Sequence, residues 1–204
     1  MRKKIVRSAR KLFNRSGFDN VSIDQIMADA DLTRGGFYSY FNSKSDLYAE
    51  VLACFFTEPD WEDCWKGVRV GLSAAHAGPQ IVRAYLSQQH YENVENSCPM
   101  VALPSDVARS GKSAKRAFET VSKAMVAVLR RGLLSDDRAR GVTAQAIAAL
   151  CVGGMVVARA MEDRALADQL RAASMTVALR LGGWNQRGGS KLRKSRRAGQ
   201  GSGV

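Results

Sequence analysis

Apolar and polar positions alternate with a helical period along most of the chain. Ile5, Ala9, Leu12 and Phe13 fall at i, i+4, i+7 and i+8, and predict a helix from Lys3 to Ser16 that ends at Gly17. Ser22 opens a second helix. Gln25 lies three residues on as the partner of a capping box, and Ile23, Ile26, Met27 and Ala30 form the buried stripe. Asp31 stands at the following turn, where Asp tolerates the left-handed conformation. Thr33 caps a short third helix reaching residue 41, with Phe37 and Phe41 on its inner face. Ser43 starts a fourth, with Asp46 in its first turn and Leu47, Val51 and Phe55 on one side. The pattern breaks at Glu58, Pro59 and Asp60. Beyond it the chain predicts helices over 60–76, 79–90, 100–110, 113–131, 142–162 and 164–182, joined by connections at 91–99 and 132–141, with no strand pattern. The expected architecture is all-α: a small N-terminal helix-turn-helix unit of three helices over 1–50, then a larger C-terminal helical domain over 51–183.

Charge changes this picture at the C-terminus. The net charge is +12, and residues 187–204 hold six Arg and Lys and no acid, so half of it lies in a Gly/Ser/Arg/Lys tail. That tail, 184–204, buries little apolar surface and is expected to be disordered. The basic balance favours nucleic acid as a partner. No run of eighteen apolar residues occurs, so no membrane span is expected, and the basic amphipathic start does not resemble a signal peptide. The protein is expected in the cytoplasm, with Cys54, Cys64, Cys98 and Cys151 as reduced thiols. Their wide spacing offers no zinc site, and neither metal nor cofactor is expected.

Residues 22–44, SIDQIMADADLTRGGFYSYFNSK, carry the chemistry. With Phe37 and Phe41 turned to the core, Arg34, Gly35, Tyr38, Ser39 and Tyr40 are left outward, as a helix entering the major groove requires. Gly35 and Gly36 each cost about 1 kcal/mol of helix propensity relative to Ala, and close approach of the backbone to DNA is a reason to accept that cost. Arg34 can donate two hydrogen bonds to guanine O6 and N7. Tyr38, Tyr40 and Lys44 can reach phosphates, as can the amides at the helix starts at Ser22, Thr33 and Ser43.

Here the residues resemble a known family. The stretches ARKLFNRSGFDNVSIDQIMADADL and TRGGFYSYFNSKSDLY are similar to the DNA-binding domain of TetR-family transcriptional regulators, over about a quarter of the chain from Ile5 to Val51. The resemblance implies an all-α homodimer with two recognition helices, a variable C-terminal ligand domain and, usually, repression. By position, Ser22, Thr33, Arg34, Gly35, Tyr38, Tyr40 and Lys44 match the family's DNA-contacting places. Asp31 departs from the glycine common there, and little arm precedes the first helix.

In the second domain, Ala146, Ala149, Gly153, Gly154 and Ala158 permit close helix approach, with Leu150 and Val157 alongside and Leu170, Val177 and Leu181 on the next helix. This surface reads either as one subunit's core or as half of a four-helix homodimer interface. Trp61, Trp65, Tyr85, Met100, Phe118, Met125 and Met155 gather aromatic and sulfur groups, as ordinary core or as an apolar pocket for a small, mostly apolar or aromatic effector. Cys98, preceding Pro99 at a helix start, is either a plain buried thiol or a reactive one lowered in pKa by the helix N-terminus, with His90 eight residues away. The expected function is a ligand-responsive repressor of double-stranded operator DNA, the alternative an electrophile- or redox-sensing repressor acting through Cys98. The absence of a nucleophile elbow, phosphate loop or metal-ligand spacing argues against an enzyme.

Overall fold

Two of the expected start signals are made in full. The Ser22 hydroxyl accepts from the Gln25 N–H at 3.2 Å while the Gln25 side chain accepts from the Ser22 N–H at 2.8 Å, and the Ser43 hydroxyl accepts from the Asp46 N–H at 3.0 Å. Gly17 takes a positive φ of 78° and closes the first helix with an N–H to the Phe13 carbonyl at 2.8 Å. The computed structural model describes residues 1–54, 77–133 and 137–184, and all regular structure among them is helical. The order is α1 (Arg2–Ser16), α2 (Ile23–Asp29), a 3-10 helix (Arg34–Ser39), α3 (Lys44–Ala53), α4 (Ala77–Tyr85), α5 (Gln88–Glu92), α6 (Pro99–Ala102), α7 (Pro104–Arg109), α8 (Lys112–Arg131), α9 (Asp137–Arg159) and α10 (Arg164–Leu181). The expected helix 60–76, the aromatic side chains Trp61 and Trp65, and the basic tail from residue 185 lie outside the described residues.

Five expectations are corrected. The third helix is a 3-10 turn, closed by i+3 bonds from the Gly36 N–H to the Thr33 carbonyl at 3.0 Å and from the Tyr40 N–H to the Phe37 carbonyl at 2.9 Å. Thr33 stands at its start, but its hydroxyl makes no capping bond. The expected 79–90 helix breaks after Tyr85 and restarts at Ser87, whose hydroxyl accepts from the His90 N–H at 3.1 Å. The expected 100–110 helix is cut at Leu103, because Pro104 lacks an N–H and pushes its predecessor out of the helical region. Finally, α9 begins at Asp137 rather than 142 and ends at Arg159, after which the Asp163 carboxylate accepts from the Ala165 and Leu166 N–H groups at 2.9 and 3.1 Å to start α10.

Packing divides into two hydrophobic clusters. One joins Ile5, Phe13, Ile26, Phe37, Leu47 and Tyr48 from the N-terminal helices to Leu103, Val107, Ala114 and Ala117 from α6 through α8. The other joins α4, α6, α9 and α10 around Val121, Met125 and Leu129 of α8. Helix α8 therefore enters both cores, and Phe118 packs against both. Polar contacts reinforce the joint. The Phe18 N–H donates to Asp106 Oδ2 at 3.0 Å, and the Asn14 amide donates to the carbonyls of Glu95 and Ser97 at 3.1 and 2.9 Å. Helix α9 is long and apolar enough from Ala139 to Arg159 to cross a bilayer by length and composition, yet it packs against α8 and α10.

Candidate functional site

The site rests on α2, its turn and the 3-10 helix. Asp31, at φ 55°, reverses the chain, and the Leu32 N–H returns to the Met27 carbonyl at 2.9 Å. Phe37 and Phe41 are buried with ring centroids 5.7 Å apart, which fixes the segment on the first core. Arg34, Gly35, Tyr38 and Ser39 are left exposed, Tyr38 by 57%. A Cβ on Gly35 would meet nothing within 4 Å, whereas one on Gly36 would touch Met27 Cε at 3.8 Å. Arg34 forms an ion pair with Asp24 at 2.8 Å, both side chains more than half exposed. Such a pair contributes about 0–1 kcal/mol, so Arg34 can exchange it for a stronger partner.

The residues matched to phosphate contacts divide. Ser22 is exposed and engaged in its capping box. Tyr40 is half-buried. Its hydroxyl donates to Met1 Sδ at 3.4 Å and its carbonyl accepts from Arg2 at 2.7 Å, while Arg2 also bonds Glu50 at 2.9 Å and lies 4.4 Å over the Phe41 ring. Lys44 is turned inward. Its ammonium donates to the carbonyls of Phe18 and Val21, both at 2.9 Å, and sits 4.3 Å from the Phe18 ring centroid. It ties down the α1–α2 connection, a role that no local signal announces because its partners lie 26 and 23 residues earlier. Arg2, Asn14 and Asp106, which hold the unit in place, were equally hidden in the sequence. Beside the turn, Lys4, Arg7 and Lys11 line a hollow of about 280 Å³ with Asp29, which pairs with Lys11 at 3.1 Å. The hydrogen bond from Ser8, with help from Lys11, holds the Asp29 carboxyl below its ordinary value.

Further along, Tyr85, Cys98, Met100, Met125 and Met155 are brought together, all buried in the second core, with Phe118 at its edge. Cys98 stands at the start of α6 but is 0% exposed. Burial pushes its thiol up to about 12, outweighing the hydrogen bond from Tyr85, which favours the plain buried thiol over the reactive one. His90 does come close, but as a structural group. Its Nδ1 donates to the Tyr85 carbonyl at 2.6 Å, which leaves Nε2 to accept from the Ser97 hydroxyl at 3.0 Å and the Cys98 N–H at 3.4 Å. Burial, and secondarily the charge of Arg159, lower its pKa to about 4. Arg159 clasps the same loop through the Tyr91 carbonyl at 3.2 Å, the Ser97 hydroxyl at 2.8 Å and the His90 carbonyl.

On the outer side of α9 and α10, Ala146, Leu150, Gly153 and Leu170 line an open apolar groove of about 470 Å³, and Val157, Val177 and Leu181 are exposed along the same helices. Two residues assigned to this surface are buried within the subunit. Ala158 is fully buried, and Gly154, also lining the floor of the groove, gives way to Ser174 and Leu86 of its own chain. Among the described residues, no group of three or more His, Cys, Asp and Glu could hold a metal ion.

Known proteins share this arrangement. The family model described as bacterial regulatory proteins, tetR family, matches residues 5–51. The biofilm operon negative transcriptional regulator IcaR of Staphylococcus aureus strain Newman is 30% identical over 56 residues, covering 28% of this chain and 30% of its own. The alignment thus spans under a third of that relative's length. Among solved structures, the reduced form of Escherichia coli NemR superposes with a TM-score of 0.66 at 17% identity, over 88% of this chain and 96% of NemR. A SmeT–triclosan complex superposes with a TM-score of 0.60 at 16% identity, over 88% of this chain and 90% of SmeT. These low identities speak to fold, and the helix-turn-helix match speaks to kinship. With capped α2, the Asp31 turn and the outward Arg34–Ser39 segment on one core, residues 5–51 have the DNA-binding domain of the tetR family of bacterial regulatory proteins, and the whole chain has the fold of TetR-family regulators.

Proposed function

We propose that the protein is a homodimeric repressor that reads a palindromic DNA operator and is released by a small-molecule effector. The observation that carries this reading is the exposed segment Arg34–Ser39 held on a buried pair of phenylalanines. Arg34 and the Gly35 backbone read bases. Tyr38, Ser39 and the start of α2 at Ser22 meet phosphates, which set register without reading sequence. Lys44 contributes through the α1–α2 connection rather than through DNA.

The apolar groove on α9 and α10 is covered by a second copy, which sets two reading segments about 34–36 Å apart, one turn of DNA. IcaR, a negative regulator by name, supports repression, and the triclosan complex of SmeT supports a small-molecule effector. The structure lends no support to a Cys98 sensor, because the thiol is buried and neutral at physiological pH. Footprinting on the DNA upstream of its own gene, with light scattering of the complex, tests the reading. A protected palindrome carrying two chains is the expected result. Uniform protection at all sequences, or a single chain on the DNA, overturns it.

A further inference from the structure

A second open cleft, of about 730 Å³, lies between α8 and the first turns of α9. Its volume falls within the roughly 300–1,000 Å³ of small-molecule sites. Val126 and Ala127 give it an aliphatic wall, and Lys123, Arg130, Arg131 and Arg140 give it a cationic rim. The charge is in excess over the local acids: residues 119–145 contain five Arg and Lys against Glu119, Asp136 and Asp137, a net +2, and the pair of Lys123 with Glu119, at 3.5 Å and largely exposed, is weak enough to exchange for an anion. Arg130 and Arg131 also complement the C-terminal dipole of α8. Lys123, two turns back, and Arg140, on the facing helix, lie away from that helix end, yet all four cations meet at one cleft. The groove on α9 and α10 provides the contrast. It is lined by Ala, Gly, Leu, Val and Ser without a single cation, as a surface awaiting another protein copy should be.

We infer that the α8–α9 cleft binds the effector, and that this effector is a small organic anion with an apolar body, such as a carboxylate or phosphate on an aliphatic or aromatic frame. The apolar part lies along Val126 and Ala127, and the anionic head is held by Lys123 and Arg131, with Arg130 and Arg140 adding their charge to bonds they already make within the chain. This rests on the regulator reading and names its ligand class. The route to DNA is α8 itself. Sixteen residues separate Arg130 from Ala114, about 24 Å of helix, and Ala114 and Ala117 pack in the core that holds the reading segment. A rod anchored in both cores transmits a tilt at one end to the other.

The test titrates the full chain calorimetrically with decanoate, decanol and decyltrimethylammonium below their micellar concentrations, so that one apolar body carries three charges. Decanoate is expected to bind one site per chain roughly tenfold or more tighter than the other two, the scale of one charge-assisted contact. The Lys123→Glu/Arg131→Glu variant, altered only at exposed positions, should lose roughly tenfold or more in decanoate affinity with unchanged helicity and operator binding. Equal binding of the cation, or decanoate affinity indifferent to the charge reversal, overturns the inference. So does a variant whose loss falls on DNA affinity alone, because the face then belongs to nucleic acid. The unliganded parent is assayed on operator DNA in parallel. If it binds there while decanoate does not bind the cleft, this inference alone fails. If it shows no sequence preference, the regulator reading falls with it.

Discussion

Two glycine pairs sit inside helical segments, one in each region of the molecule, and they are used in opposite ways. At Gly35–Gly36 a side chain would meet nothing within 4 Å at the first position and only ordinary contacts, the nearer at 3.8 Å, at the second. At Gly153–Gly154 the first is open, but a Cβ on the second would lie 2.5 Å from Ser174 Oγ and 3.3 Å from Leu86 Cδ2. The α9 pair has an internal reason, since Gly154 lets α10 approach. The reading-segment pair has none within the fold and spends helix propensity on an outer surface. Gly154 serves the subunit's own packing, whereas Gly35, like Gly153, faces open space.

The largest expected effect tests how fully the inner region is satisfied. His90 is held at about 4, below its ordinary 6.5, so between those values the unfolded chain binds more protons than the folded one. Stability is present in full above about pH 6.5 and falls as pH drops toward 4, by up to about 3 kcal/mol from this group. Urea denaturation at pH 7 and pH 4.5 measures it, and His90→Gln should remove the histidine's share of the slope. A parent equally stable at both pH values would break the picture of a closed polar knot around His90, Ser97 and Arg159.

Next comes the α9 pair. Gly154→Ala should lower stability by about 1–3 kcal/mol, through overpacking against Ser174, in a urea melt. Gly153→Ala should leave the subunit's stability within about 0.5–1 kcal/mol, since only helix propensity changes. Equal costs at the two positions would erase the distinction.

On the reading side, Arg34→Ala should weaken operator binding by about 1–3 kcal/mol in fluorescence anisotropy at fixed salt, and relax discrimination at one base pair per half-site. Its thermal melt should stay close to the parent's, because the Asp24 pair it loses is exposed. The smallest effect on folding belongs to Gly35→Ala, expected to hold or raise stability by up to about 1 kcal/mol while weakening operator binding. A Gly35→Ala protein that binds DNA as well as the parent would leave that glycine unexplained.

The parts of the fold legible in the sequence are those written within one turn of chain. Ser22 with Gln25, Ser43 with Asp46, Gly17 at a helix end and Asp31 at positive φ all satisfy backbone groups at most four residues away, so spacing alone reveals them. The site was legible where it depends on the same local logic: burying Phe37 and Phe41 necessarily turns Arg34 and Tyr38 out. Lys44 was not, because its chain is long enough to reach either phosphate or the carbonyls of Phe18 and Val21, and only the placement of α1 against α3 selects the carbonyls. At Cys98 the sequence left a plain buried thiol and a reactive one both open, and packing decides for the buried one. A short helix start favours the thiolate, but complete burial opposes it more strongly, and burial is a property of α9 and α6 packing together.

Periodicity, capping residues and the two phenylalanines were enough to establish an all-helical chain with a helix-turn-helix near its start and an outward reading segment, since each depends on neighbours along the chain. Which helix joins the two cores, which glycine faces its own subunit, which cations meet at a cleft and which thiol is sealed from solvent depended on residues tens of positions apart. Those pairings have no signature in spacing, because the distance between α8 and its partners is set by how whole faces fit and not by any residue's local preference.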